Sequence, residues 1–99
     1  MPDYDILKAV AEQMMDGAVL SLGEEKYKVS QTGAQRLRTV RFSMGGREYQ
    51  AIEQNPEKPS RWGKMARDGK RVVQFRDVES GKYVAVVVDG KVMEYGPRG

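Results

Sequence analysis

Apolar residues in the first sixteen positions recur every three or four residues, which is the period of one face of an α-helix. The residues that form this face are Ile6, Leu7, Val10 and Met14. Asp3 is suited to cap the start of the helix, and Gly17 is suited to end it. The pattern therefore predicts a first helix over residues 3–16.

After Gly17 the apolar period changes to two, which is typical of β-strands. A short second helix over residues 61–68, capped by Ser60, interrupts the strands. The predicted strands cover residues 18–22, 26–31, 36–44, 47–54, 71–78, 82–88 and 91–95. The order α-ββββ-α-βββ predicts one α+β domain over residues 1–99. We expect an antiparallel, hairpin-rich curved sheet or a partly open barrel of about seven strands, with both helices over one face or end.

Gly45-Gly46 predicts a two-residue hairpin turn, and such a turn fixes the register of the two strands. The predicted pairs are Met44 with Arg47, Phe42 with Tyr49, Val40 with Ala51, Arg38 with Glu53, Arg41 with Gln50 and Thr39 with Ile52. Aromatic, apolar and oppositely charged residues thus face each other, and each such pair contributes ~0.2–1 kcal/mol. Since small apolar residues share the face of the Phe42 and Tyr49 rings, we expect both rings to be buried.

Asp89-Gly90 predicts a second turn of this kind. The pairs that it predicts are Val87 with Val92, Val86 with Met93 and Val84 with Tyr95. Residues 84–88 are continuously apolar, so this strand is predicted to be the central one and to be covered on both faces.

The composition excludes several kinds of chemistry. The 99 residues include no cysteine and no histidine, so disulfides, thiolate metal sites and the commonest acid–base group are missing. We therefore expect a non-enzymatic protein with no cofactor, and an enzyme that uses carboxylates alone is the alternative. No apolar run approaches the ~20 residues of a membrane span, and residues 1–10 lack the features of a signal peptide. A cytoplasmic protein with no membrane partner is the expectation.

Charge is distributed unevenly along the chain, although the formal net charge is only +3. Residues 1–25 carry one lysine and six acidic residues, which gives −5, and residues 26–50 carry six cations and one acid, which gives +5. Residues 51–75 carry six cations and three acids, which gives +3. This asymmetry points to an anionic partner. The alternative is that an acidic helix packs beside a basic sheet.

The predicted second helix carries the strongest local signal. On a helical wheel, Trp62, Met65 and Ala66 share one apolar arc, and Asp68 is the only acid among the cations of the opposite half. These cations are candidate phosphate-binding residues: Arg61, Lys64, Arg67, Lys70 and Arg71. Arg36 and Arg41 lie on a predicted strand that would extend the basic patch. The alternative is an ordinary amphipathic helix whose basic side is only solvated.

Residues 52–75 also resemble a pattern found in small archaeal proteins. The stretches that carry it are Ile52-Glu53-Gln54-Asn55-Pro56, Ser60-Arg61-Trp62-Gly63-Lys64-Met65-Ala66-Arg67-Asp68-Gly69 and Val72-Val73-Gln74-Phe75. The pattern is similar to that of uncharacterised proteins associated with hyperthermophilic crenarchaea. This resemblance implies a cytoplasmic archaeal protein and supplies no catalytic residue.

Two non-enzymatic functions remain open from the sequence. The first is a non-enzymatic module that binds an anionic partner, nucleic acid, through the basic helix. The second is a protein-interaction or self-assembling subunit, since the edges of an open sheet can pair with another chain to form a homo-oligomer.

Overall fold

The first helix forms as the sequence predicts. The structure is a computed structural model, and it describes residues 3–93. Helix α1 (Tyr4–Asp16) begins after Asp3, whose carboxylate accepts hydrogen bonds from the backbone N–H groups of Asp5 and Ile6 at 3.0 and 3.3 Å. Its buried residues are Leu7, Val10, Ala11 and Met14.

Eight strands follow within the described residues, and they form two antiparallel sheets. Strands β1 (Val19–Leu22) and β2 (Glu25–Lys28) form a separate hairpin. The second sheet has the order β3-β4-β5-β6-β7-β8, and helix α2 (Arg61–Arg67) lies between β5 and β6 in the chain. Its strands are β3 (Ser30–Thr32), β4 (Leu37–Met44), β5 (Arg47–Glu53), β6 (Val72–Asp77), β7 (Tyr83–Val88) and β8 (Lys91–Met93). The predicted α+β class with a curved antiparallel sheet is confirmed.

The strand predicted over residues 26–31 is in fact two strands. Its side chains alternate throughout, but the backbone changes partner at Val29, whose N–H donates to the Ala18 carbonyl at 2.8 Å. Residues before this point pair with β1, and residues after it pair with β4. The large sheet is open, with β3 and β8 at its edges in the described chain, so it is a curved sheet and not a closed barrel.

Both predicted hairpin registers are confirmed. Phe42 faces Tyr49 and Arg41 faces Gln50 across the first turn, and Val87 faces Val92 across the second. Both central residues of each turn have positive φ, at 61° and 79° for Gly45-Gly46 and at 49° and 80° for Asp89-Gly90, as a type I′ turn requires. The predicted pairing of Val84 with Tyr95 lies outside the described residues.

The helices cover opposite faces of the large sheet, and the prediction that they share one face or end is wrong. One core joins α1 and β1 to the inward-facing residues of β4–β7, including the Phe42, Tyr49 and Phe75 rings. The other core joins Trp62 of α2 to side chains on the opposite face: Val72, Val86, Val88 and Met93. Both faces need a helix because successive side chains of β7 point to opposite faces, and nearly all of them are apolar. This strand is doubly covered as predicted, but it lies next to an edge strand and not at the centre.

Candidate nucleic-acid interface

Helix α2 forms where the sequence predicts it and buries its apolar side. The Ser60 hydroxyl accepts a hydrogen bond from the Gly63 N–H at 3.1 Å, which caps the first turn. The Trp62 side chain packs into the second core and is 9% exposed. The Arg61 guanidinium lies over the Trp62 ring, 4.2 Å from its centroid. Arg61 therefore lies at the surface and makes a cation–π contact with the buried Trp62 ring.

Carboxylates neutralise part of the basic side of α2. Lys64 Nζ lies 2.9 Å from Asp68, and Lys70 Nζ lies 3.9 Å from Asp89. Asp89 of the β7–β8 turn therefore contributes to this neutralisation, as does Asp68 at the end of the helix. Both pairs are exposed, so each contributes only about 0–1 kcal/mol and is screened by salt.

Arg67, one of the predicted phosphate-binding residues, has a structural role. One guanidinium nitrogen donates to the Pro56 and Lys58 carbonyls at 2.6 and 2.9 Å, which fastens the preceding loop to α2. Gly63 allows the loop to lie this close to α2, because a Cβ at this position would overlap the Lys58 carbonyl oxygen. The loop and the helix thus form one unit, and one nitrogen of the Arg67 guanidinium is bonded within it.

Arg71 belongs to the other face of the sheet. Its guanidinium pairs with Asp16 at the end of α1 at 2.7 Å, and its backbone N–H donates to the Asp89 carboxylate at 2.8 Å. It lines a separate cavity of about 370 Å³ together with Glu12 and Asp89. The prediction that Arg71 joins the basic side of α2 is therefore wrong. The Arg71–Asp16 ion pair fits the other interpretation of the charge pattern, in which the acidic helix α1 packs beside the basic sheet.

The two strand arginines of the predicted patch are separated from each other. Arg36 lies in the β3–β4 turn with a φ of 55°, and its guanidinium donates to Gln31 of the edge strand at 3.1 and 3.3 Å. Arg41 lies on β4, and its side chain points to the sheet face on which α2 packs. Only Arg41 is thus placed on the same face as the helix.

A polar row crosses that face beyond the part that α2 covers. The strand registers set Arg41 opposite Gln50, Gln50 opposite Arg76, and Arg76 opposite Tyr83, across β4 to β7. Arg76 donates to the Gln50 side-chain oxygen at 2.6 Å, and Gln50 donates to Thr39 at 3.1 Å. We use the name open sheet face for Thr39, Arg41, Gln50, Gln74, Arg76 and Tyr83. They are half-exposed or exposed, whereas the face under α1 is buried.

A groove lies where the open sheet face meets α2, and we call it the α2 groove. Its volume is about 590 Å³. It is lined by Gln54, Lys58, Pro59, Ser60, Arg61, Trp62, Gln74 and Tyr83. Aromatic rings, amides and two cations therefore converge beside the basic helix.

Another cavity opens at the other end of the polar row, between β4 and the small hairpin. It has a volume of about 480 Å³, and it brings Lys26 and Lys28 of the small hairpin beside Arg41 and Gln50. Sequence reasoning missed these lysines and Arg76. The alternation of side chains along β6 could have predicted the position of Arg76, because residues 74 and 76 lie on the same side of the strand. Nothing in the sequence placed the hairpin lysines beside β4.

Acidic side chains are sparse on this surface. Glu48 pairs with Arg41 at 3.1 Å, and both side chains are about half exposed. Within residues 3–93, Arg61 and Arg76 pair with no carboxylate. No group of three or more metal-binding side chains occurs in this part of the chain. The arrangement is thus suited to binding an anion by guanidinium and amide groups.

Comparisons of the chain with protein families, with curated proteins and with solved structures find no match. The resemblance of residues 52–75 to small archaeal proteins therefore stays a prediction. In the described residues, neither helix has the length and the apolar character needed to cross a membrane.

Proposed function

We propose that this chain is a non-enzymatic binding module for nucleic acid, and that it binds through the open sheet face and the exposed side of α2. The observation that carries this proposal is the row of Arg41, Gln50 and Arg76 across three strands, with Arg61 and Lys58 on the far side of the α2 groove. An extended cationic surface of this kind suits a polymer with repeated charges.

The existing ion pairs on this surface oppose such binding only weakly. Arg41–Glu48 and Lys64–Asp68 are exposed pairs, so a phosphate can replace either carboxylate at a cost of about 1 kcal/mol or less. Arg76 and Arg61 need no such exchange. The bonds of Arg67 to backbone carbonyls are different, because breaking them would release the loop that precedes α2.

The amides and rings favour nucleic acid over a simple anion. Gln50, Gln74 and Tyr83 are polar but uncharged, and they lie between the cations. Phosphates contact the cations, while unpaired bases stack on rings or guanidinium planes and bond to amides. We further propose a cytoplasmic location, as the archaeal resemblance implies.

A salt titration with a charge-matched control tests this function. Binding of a labelled single-stranded oligonucleotide is followed by fluorescence anisotropy between about 50 and 200 mM salt, a range over which phosphate contacts weaken strongly. Arg41→Gln/Arg61→Gln and the control Lys8→Gln/Arg71→Gln lower the net charge equally. Lys8 is exposed on α1, and Arg71 pairs with Asp16 on the other face of the sheet, so the control cations lie away from the proposed surface.

The first variant is expected to weaken binding and to reduce the slope of log affinity against log salt by about 1.4, since each single-strand phosphate contact contributes about 0.7. The control is expected to retain the wild-type slope. Equal losses in the two variants would show that only the net charge matters. No binding by the wild type at the lowest salt would refute the function.

Self-assembly through an edge strand is the second candidate. The edges of the described sheet are β3 and β8, and each spans three residues in the part of the chain that the structure describes. Short edge strands offer few backbone groups for pairing between copies. Sedimentation velocity over a range of concentrations distinguishes self-assembly from nucleic-acid binding. A stable dimer without salt-dependent oligonucleotide binding would favour self-assembly.

A further inference from the structure

A cavity lies between the small hairpin and the large sheet, and we call it the hairpin cavity. It has a volume of about 480 Å³ and lies beside β2 and β4, where the polar row of the open sheet face ends. In the part of the chain that the structure describes, no acidic residue lines it, and its polar lining is made of cations, hydroxyls and an amide. The lining residues that matter for binding are Lys26, Lys28, Ser30, Thr39, Arg41 and Gln50.

Buried contacts on the other side of β2 hold its two lysines beside β4. Tyr27 and Val29 pack against the core under α1, and the Tyr27 hydroxyl accepts a hydrogen bond from the Ser43 N–H at 3.4 Å. Since successive side chains of a strand point to opposite faces, Lys26 and Lys28 point away from that core. The hairpin is thus anchored by its buried side, and its lysines line the cavity from a fixed strand.

Within the described chain, an anion would meet little competition for the donors of the cavity. Neither lysine pairs with a carboxylate of residues 3–93, and in these residues the Lys28 ammonium and the Ser30 hydroxyl make no hydrogen bond. The Lys26 ammonium lies 3.3 Å from the Ser21 hydroxyl, which is a neutral partner. The Thr39 hydroxyl accepts from a neighbouring amide, so its own hydrogen can still be donated to a ligand.

The charge of the cavity matches that of a phosphate monoester. Lys26, Lys28 and Arg41 carry three positive charges, and Glu48, which pairs with Arg41 at 3.1 Å, offsets one of them, so two remain. A monoester phosphate carries about −1.5 to −2 at neutral pH and has three acceptor oxygens. A phosphate inside a nucleic-acid strand carries only one negative charge. The charge balance therefore favours a phosphate at the end of a strand.

We propose that the hairpin cavity binds a phosphate monoester through its three cations and its hydroxyls. This inference rests on the proposed function, and it adds the group at which the bound strand ends, a terminal phosphate. The rest of the strand then runs from β4 across the open sheet face, because the cavity lies at one end of the polar row. Inorganic phosphate offers the same oxygens and charge, so it is the second source that the test separates from the strand.

The test compares one single-stranded oligonucleotide that carries a 5′-phosphate, a 3′-phosphate or hydroxyl groups at both ends. The wild type is expected to prefer one phosphorylated form over the hydroxyl form at least about tenfold at pH 7, which corresponds to one hydrogen bond to a charged group. Histidine is the only side chain that ordinarily changes charge between about pH 5 and 8, and this chain has none. The preference should therefore shrink at about pH 5.5, below the second pKa of the phosphate near 6.

Three variants assign this preference to the cavity. Lys26→Gln/Lys28→Gln should abolish it. The control Lys8→Gln/Arg71→Gln removes the same charge from α1 and from the opposite face of the sheet, and it should keep the preference. Ser30→Ala changes no charge and removes one hydroxyl donor, so it should reduce the preference about threefold.

The failures of the two proposals differ. Equal wild-type affinities for the three oligonucleotides, or a preference that Lys26→Gln/Lys28→Gln and its control change equally, overturns the phosphate site and leaves the nucleic-acid function intact. Absence of any oligonucleotide binding refutes that function, and inorganic phosphate then decides on the site. Saturable NMR shifts of the Lys28 and Ser30 amides on addition of inorganic phosphate would support a site for the free anion, and their absence would overturn the site as well.

Discussion

The Arg47 guanidinium holds Asp77 through two hydrogen bonds to one carboxylate oxygen, from Nε at 2.9 Å and from Nη2 at 2.6 Å. The other oxygen of Asp77 accepts from the backbone N–H groups of Glu79 and Ser80 at 3.0 and 3.3 Å. One carboxylate thus joins the β4–β5 turn to the β6–β7 turn. These turns lie at the same end of the sheet because β5 and β6 are antiparallel.

The stability of the protein should therefore depend on the ionisation of Asp77. The hydrogen bonds from Arg47 lower the pKa of Asp77, with help from the Ser80 and Glu79 N–H groups, although burial acts in the opposite direction. A carboxyl group whose pKa is lower in the folded state stabilises the fold above its unfolded pKa of about 3.9, and this contribution is lost as the pH falls. Asp77→Asn should lower the thermal midpoint at neutral pH, and its difference from wild type should shrink below about pH 4. Melting curves recorded across this range check the prediction, and a difference independent of pH would contradict it.

Two glycines should respond differently to the same substitution. Gly63→Ala places a methyl group against the Lys58 carbonyl, so we expect a loss of about 1–3 kcal/mol in the free energy of unfolding. Gly17→Ala is the control, because its Cβ would meet only the Gln13 carbonyl at an ordinary 3.8 Å in extended backbone. We expect it to be neutral or slightly stabilising. Urea denaturation measures both variants, and equal effects would mean that α2 does not pack on Lys58 as described.

Arg67 and Lys64 provide a matched pair on α2. Arg67→Met leaves the Pro56 and Lys58 carbonyls without their charged donor, so it should destabilise the fold by about 1–2 kcal/mol. Lys64→Met removes only an exposed pair at i, i+4 spacing and should cost less than about 0.5 kcal/mol. The same urea experiment compares them. A larger loss for Lys64→Met would contradict the structural role assigned to Arg67.

Local chemistry explains what the sequence could predict. The registers around Gly45-Gly46 and Asp89-Gly90 follow from turns of two residues, which leave the strands no freedom to slip. The cap of α2 at Ser60 and the burial of Trp62 likewise depend on a few neighbouring residues. These parts needed no information about distant segments.

The missed features depend on contacts between distant segments. A helix and a loop separate β5 from β6, so no short turn could show that Gln50 faces Arg76. The partner of Arg71 lies on α1, and the change of strand partner at Val29 depends on the far end of the first hairpin. Charge on a helical wheel therefore overestimated the free basic surface of α2 and missed the row on the sheet.

The location of the bound nucleic acid tests the central claim most directly. Backbone amide shifts of the labelled protein are followed by NMR as a single-stranded oligonucleotide is added at low salt. The largest changes should occur at the open sheet face and the α2 groove, including Arg41, Gln50, Arg76 and Tyr83, while Lys8 on α1 stays unchanged. Changes concentrated on α1 and around Arg71, with the sheet row unaffected, would contradict the account.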